Sequence, residues 1–387
     1  MHTRRDILRF TAAAGAALPV LSACGTSGGA AAGASPVIRY QGTTGQVLFP
    51  ELAQDLGYLD GVELEWVGDT TSGPQDIQAA ATESTDVGGA FNGAIAKLAA
   101  AGSPITSVIS YYGADEETHN GYYVLEDSDI TGARDLVGAK VSMNTLGAHH
   151  EFVVREWLDR EGLTAGEIDR VELTVVPPVN AEQTLRNGQV EVATLGGILR
   201  ESALERGGIR PLFTDHGLYG AFSYGSLVLR DDFIEAHEDT AAAFVGGVAR
   251  AIRWAQLTPR DEVVARFTEI IERRGRNEST DAVRYWRSTG VAGPGGAIAA
   301  AEFQTWIDWL VRHGELEEGA VRAEDLFTND YNPYANGTYP EDSGPDGESV
   351  DGNGAPGSGA PGSGAPGDAA SDGADDARRT ATAEETR

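Results

Sequence analysis

Cysteine occurs once in the 387 residues, at Cys24, so no disulfide can form within the chain. Lysine is nearly as scarce, with only Lys97 and Lys140, and acidic residues outnumber basic ones 59 to 29 for a formal charge of −30. A nucleic-acid backbone has to be met by Lys and Arg, so this balance excludes nucleic acid as a partner. Membrane attachment through a basic patch is excluded for the same reason. Beyond the first two dozen residues no apolar run is long enough to span a bilayer. Between Ser35 and Thr338 there is also no G-x-S-x-G elbow, no Cys-His pair, no phosphate-cradling lysine loop and no cluster with metal-ligand spacing. These absences weigh against catalysis and leave cofactors and metals without an evident place.

The two ends of the chain differ from its middle. Arg4-Arg5 leads into an apolar run ending at Val20, followed by small residues and Cys24. This segment resembles a lipoprotein signal peptide of the twin-arginine type, which implies cleavage after residue 23 and lipidation of Cys24. Residues 24–35 then form a flexible linker, and the remainder is extracytoplasmic, tethered by acyl chains to the outer face of the cytoplasmic membrane. At the other end, residues 340–387 contain a repeated Gly-Ala-Pro-Gly-Ser unit among acidic residues, a composition expected to stay disordered. Most of the negative charge nevertheless lies between these ends, which suits a salt-adapted surface.

From Ser35 to Thr338 short β-like runs alternate with amphipathic helical stretches, predicting α/β architecture with mostly parallel sheets. Strands are predicted at Val37–Gly42, Val62–Gly68 and Ile105–Tyr112, with a strand-and-loop unit at Asp86–Gly93, and the first three units each deliver Gly, Ser, Thr or Asn to the start of a helix. A second unit has strands at Leu136–Asn144, Val171–Pro178 and Val190–Gly197, with a helix over Ala148–Glu161. After Tyr224 long helices follow at Glu238–Leu257, Pro259–Arg273 and Ala297–His313, where Phe244, Trp254, Trp306 and Trp309 recur at core spacing. Two such units suggest two lobes about a ligand-binding cleft.

Four stretches carry a family resemblance: Glu51–Val67, Thr71–Gly89, Asp135–Leu163 and Asn180–Gly197, with Arg230–Val263 closing the series. In order and spacing they resemble the substrate-binding lipoproteins of ABC importers, in the nitrate/sulfonate/taurine branch that includes binders of thiamine-pyrimidine precursors. The resemblance implies a type II periplasmic-binding fold, with residues 36–123 and 225–339 in one lobe and 124–224 in the other. Crossings are expected near Tyr122–Glu126 and Tyr224–Arg230. It implies a monomer that captures a small polar or anionic solute and delivers it to a permease driven by an ATPase. Capture of a pyrimidine or other heterocycle is the alternative, and an enzyme on the same fold the more distant one.

Candidate contacts follow from strand ends and helix starts. On the first lobe these are Gln41, Thr43 and Thr44; Thr71, Ser72 and Gly73; and Asn92 and Gly93. Their amides and hydroxyls can donate to a polar solute, although the same residue types serve as ordinary turns and caps. On the second lobe Asn144, Thr145, Gly147, Ala148 and His149 precede or open a helix whose unpaired N–H groups and dipole favour an anionic group. His149 suits a ligand donor or a structural helix-start residue equally. His149 and His150 are adjacent, so they do not share a helix face as a metal pair would, and His150 reads as a partly exposed helix residue. Gly196-Gly197 stand where family members place an aromatic and an acidic residue, implying extra room and no partner for a ligand amine. Tyr224, with Tyr219 and Phe222, offers an aromatic wall or core.

Overall fold

The computed structural model describes residues 36–350, so the signal-like segment, Cys24 and the Gly-Ala-Pro-Ser repeats lie outside the described residues. Strand β1 (Val37–Gly42) is followed by helix α1 (Phe49–Asp55) and by β2 (Glu63–Asp69), which pairs with β1 in parallel. Helix α2 (Gly73–Ala81), β3 (Val87–Phe91), α3 (Asn92–Ala100) and β4 (Ile105–Ala114) complete the first pass. Asp86 joins the two halves of this lobe. Its main-chain N–H donates to the Arg39 carbonyl at 2.9 Å, and its carboxylate accepts from the Arg39 main chain and guanidinium.

The chain then enters the second lobe through β5 (Gly121–Leu125), β6 (Lys140–Met143), α4 (His149–Arg160), α5 (Ala165–Ile168) and β7 (Glu172–Val175). Helix α6 (Pro178–Arg186), β8 (Val192–Leu195), α7 (Gly197–Arg206), β9 (Ile209–Thr214) and α8 (Asp215–Tyr219) finish it, and its five strands run in the order β7-β6-β8-β5-β9. Strand β10 (Phe222–Arg230) returns to the first lobe and lies between β3 and β4. Helices α9 (Asp231–Ala236), α10 (Glu238–Leu257), α11 (Arg260–Arg274) and α12 (Ala301–Arg312) then pack on that lobe.

Three sequence expectations need correction. Strands β5 and β10 run antiparallel to both of their neighbours, so the three-stranded sheet is antiparallel and the five-stranded one mixed, and only β1-β2 is wholly parallel. These are the two strands that enter a lobe from the other one, and they are not laid down by a strand-helix-strand repeat. Both begin before the expected crossings, at Gly121 and Phe222, so the chain passes between lobes at 115–120 and again at Gly220. The lobe boundaries expected at 123/124 and 224/225 therefore fall inside strands.

The third correction concerns the acidic end. Residues 340–350 do not belong wholly to a disordered tail, because Ser343 is buried and the segment folds against α10. Arg253 donates to the Ser343 carbonyl at 2.7 Å, Arg250 donates to the Pro345 carbonyl at 3.1 Å and pairs with Asp346. Arginines on α10 supply the donors that the segment's carbonyls and carboxylates need, which composition alone does not reveal.

The core is divided by lobe but joined across the middle. Phe244, Val248 and Ile252 of α10 pack with Ile38, Leu52 and Leu229 in the first lobe. Phe152 of α4 meets Phe91 of β3 at 5.1 Å between ring centres and Trp309 of α12 at 4.1 Å. Trp306 and Trp309 are thus core residues, as their spacing predicts, and they form part of an aromatic seam between the lobes.

Candidate functional site

Two cavities open between the lobes on either side of Tyr112, which lines both. The polar one has a volume of about 200 Å³ and the apolar one about 170 Å³. Tyr112 can occupy this place because Gly225 faces it on β10. A Cβ there would lie 1.9 Å from the ring. Tyr224 meets Tyr112 edge-on at 4.9 Å, and Tyr111 meets it at 4.6 Å from the other side.

Gly73, Asn144, Ala148, His149 and Tyr224, all expected from the sequence, line the polar compartment. Gly73 opens α2 on the first lobe, and Ala148 is the N-cap of α4 on the second. Two helix N-termini from opposite lobes therefore border one space. The first-turn N–H groups of each have no intrahelical acceptor, and both dipoles favour negative charge there. Glu151 accepts the Gly147 N–H at 2.8 Å, which fixes the left-handed turn at Gly147 (φ 70°) that delivers the chain into α4.

His149 stacks flat on Tyr224, with ring centres 3.7 Å apart and planes 2° apart. Its Nε2 lies 2.9 Å from Asp215 Oδ2, and the Asp215 carboxylate also accepts from the Asn120 main chain at 3.0 Å and the Asn120 side chain at 2.8 Å. Burial would raise the Asp215 carboxyl, but the hydrogen bonds from His149 and Asn120 overcome it and hold it below the usual carboxylate range. An ionised Asp215 requires the proton on Nε2, which leaves Nδ1 unprotonated in the neutral ring. That Nδ1 is buried and has no hydrogen-bond partner among the described residues. It accepts in the neutral ring and donates in the charged one.

Pro74, Phe91, Tyr112, Asn120 and His150 also line this compartment, and the sequence reading did not single them out as contacts. His150 is half-buried, and its Nε2 lies 3.3 Å from Asn120 Oδ1. Burial, aided by His149, pushes its pKa down to about 3, so the ring is neutral at ordinary pH. Asn120 is the hub of the network, donating also to the Tyr224 hydroxyl at 2.6 Å. Its position in a connecting segment with no periodic pattern gave no signal in the sequence.

Other expected residues are placed elsewhere. Asn92 is fully buried, bonded to Ser226 at 2.8 Å and to the Glu302 carbonyl at 3.2 Å, and it braces β10 and α12. Gly93 has Phe91 against it, since a Cβ would lie 2.5 Å from the ring. Thr44 donates to Asp69 at 2.6 Å, while Thr43 is half-buried in the turn before Gly45, where the apolar compartment begins. Gln41 Oε1 is buried without a partner among the described residues. Thr71 is exposed and Ser72 is the N-cap of α2. Thr145 is half-buried outside the lining set. Gly197 is exposed with φ 50° at the start of α7. The room expected at Gly196 is already taken, because a Cβ there would lie 2.0 Å from Asn120 Oδ1. Tyr219 and Phe222 pack on Trp306 instead of lining either compartment.

The family model described as NMT1/THI5 like matches residues 50–262, a span that runs from α1 into α11 and includes every residue of the polar compartment. The chain belongs to the NMT1/THI5-like family. Among solved structures, this NMT1/THI5-like protein is similar to the alkanesulfonate-binding protein SsuA from Xanthomonas axonopodis pv. citri bound to MOPS. That match has 19% identity and a TM-score of 0.60, covering 78% of this chain and 100% of that one. It is similar to the periplasmic nitrate-binding protein NrtA from Synechocystis PCC 6803 at 14% identity and a TM-score of 0.60, covering 76% of this chain and 87% of that one. A third likeness is to the DszB C27S mutant in complex with biphenyl-2-sulfinic acid, at 18% identity and a TM-score of 0.54, with coverages of 77% and 97%. At these identities the likeness is one of fold, and the fold is the type II periplasmic-binding fold. No curated protein sequence matches the chain.

Proposed function

We propose that the protein is the extracytoplasmic solute-binding component of an ABC importer. It captures a small organic solute with a polar or singly anionic head between its lobes and delivers it to a membrane permease and its ATPase. Lipidated Cys24 would hold it at the outer face of the cytoplasmic membrane. The observation that carries the reading is the polar compartment, where the N-termini of α2 and α4 border a space that His149 also lines, with its Nδ1 unpartnered. No Lys or Arg lines the compartment, so charge on the solute meets no fixed positive side chain, only the helix N-termini and polar groups such as Asn144 and His149. That favours one negative charge or none, because further charge would be buried without compensation.

A thermal-unfolding panel of sulfonates, oxyanions, pyrimidines, flavins and amino acids tests the reading. A solute at a hundredfold over its dissociation constant adds about 2.7 kcal/mol, which raises Tm by a few degrees. One chemical class is expected to give that shift in the wild type and to lose it in His149→Ala. Chemical turnover of the solute by the protein alone would replace the receptor reading with an enzymatic one.

A further inference from the structure

The strands that carry Tyr112 and Gly225 fall out of step with each other on both sides of that pair. Ser223 faces Gly113 and Gly225 faces Tyr112, so Tyr224 is an extra residue on β10. Ser226 then faces Ser110, so Tyr111 is an extra residue on β4. Each extra residue makes a β-bulge, which twists its strand and re-aims the side chains around it. In a regular ladder Tyr111 and Tyr112 would point to opposite faces of the sheet. Here their rings meet edge-on and both line the apolar compartment, while Tyr224 lines the polar one. Among the described residues the two linings share Tyr112 alone. Its ring is held between Tyr111 and Tyr224 and seated on a glycine that leaves no room for a side chain. A ring that served only to fill the core would have packed neighbours where this one has a cavity on either side.

We propose that Tyr112, seated on Gly225 between the two bulges, is a partition that keeps the compartments apart and so sets the length of the solute. The inference rests on the receptor reading and adds to it the residue that determines size. An apolar cavity of about 150 Å³ holds the six carbons of benzene, so the polar compartment, at about 200 Å³, has room for about eight non-hydrogen atoms. A sulfonate head with four carbons reaches that size. Further methylenes meet the Tyr112 ring, stay in water and gain nothing. With the ring removed the two spaces join, and the same methylenes are buried against Phe49, Phe267 and Trp286.

Calorimetric titration of the purified protein with linear alkanesulfonates and linear alkanamides of one to eight carbons reads the partition, one series with a charged head and one without. In the wild type affinity is expected to rise by about fourfold per added methylene up to about four carbons and then to level off. Tyr112→Phe keeps the ring and should keep the plateau. Tyr112→Ala should lose it, with the eight-carbon member binding at least tenfold more tightly than the four-carbon one. Tyr112→Val, which leaves a smaller void, is expected to do the same and guards against a fold lost in the alanine variant; thermal unfolding confirms that each is folded. A wild-type affinity that climbs unbroken to eight carbons would overturn the partition and leave the receptor reading standing. So would a plateau that persists in the folded alanine and valine variants. Absence of binding by any member of either series, in every protein, would count against the receptor reading itself and take this inference with it.

Discussion

At the scale of single residues, Asp76 shows how the cleft side of the first lobe responds to pH. It sits in the first turn of α2, buried, with Oδ2 accepting the Gly89 N–H at 2.7 Å and Oδ1 without a partner among the described residues. Burial raises its pKa to about 7, and the Gly89 hydrogen bond offsets this only in part. The unfolded chain releases that proton near pH 4 and the folded one near pH 7, so the folded state holds more protons in between. Its contribution to stability is therefore complete below pH 4 and is lost as pH rises to 7. In Asp76→Asn the loss is absent, so the variant should gain on the wild type by roughly 2–4 kcal/mol between pH 4 and pH 8. Urea unfolding at both ends of that window checks it; an unchanging difference would mean the carboxyl is already ionised when folded.

Residues such as Gly73, Ala148 and His149 were legible in the sequence because they occupy helix starts after strand ends, a position that topology alone aims at a cleft. Asn120, Tyr112 and the apolar lining were not. Ile198, Phe267 and Trp286 come from three helical or connecting segments far apart in sequence, each with an apolar pattern indistinguishable from ordinary core.

Among elements, the long helices and most α/β units stood out because their periodicity is sustained, and α10 coincides with its predicted span from Glu238 to Leu257. Strands β5 and β9 were missed because Gly121–Leu125 and Ile209–Thr214 are short and their pairing is decided by partners distant in sequence. One pair of elements bears on ligand capture. Helix α7 of the second lobe faces the turn Val283–Tyr285 of the first, with Glu201 and Arg287 2.9 Å apart and Glu205 and Arg284 3.3 Å apart. These pairs stand beside Ile198 and Trp286 at the apolar compartment. The Glu205–Arg284 pair is exposed and contributes less than about 1 kcal/mol to stability. The variant Glu205→Gln should therefore unfold close to the wild type, yet bind the solute a few-fold more weakly at low salt. In 1 M salt, where screening acts within about 3 Å, the two proteins should bind alike. Titration at both salt concentrations measures this, and a salt-independent difference would show that the carboxylate acts by another route.

For the whole molecule, the seam formed by Phe91, Phe152, Trp306 and Trp309 ties the lobes into one packed body. Exposing that seam in either lobe would uncover large apolar rings, so the lobes should unfold together. The strongly negative charge of the chain adds a salt dependence of its own. Calorimetry is expected to give one transition, moving upward between low and molar salt as self-repulsion is screened. Two separated peaks, or a transition indifferent to salt, would contradict the seam or the charge argument respectively.

Strand β10 lies between β3 and β4, yet the chain builds the entire second lobe before reaching it. During synthesis β3 and β4 therefore wait with an empty slot between them, and the lobe begun first is completed last. The contacts that fill the slot, such as Leu227 with Gly89 and with Ile109, span more than a hundred residues and close slowly. The second lobe, whose strands all lie within one continuous stretch, needs no such late strand to complete its sheet. The closing strand brings in Tyr224 and Gly225, so the polar compartment is complete only once β10 is in place.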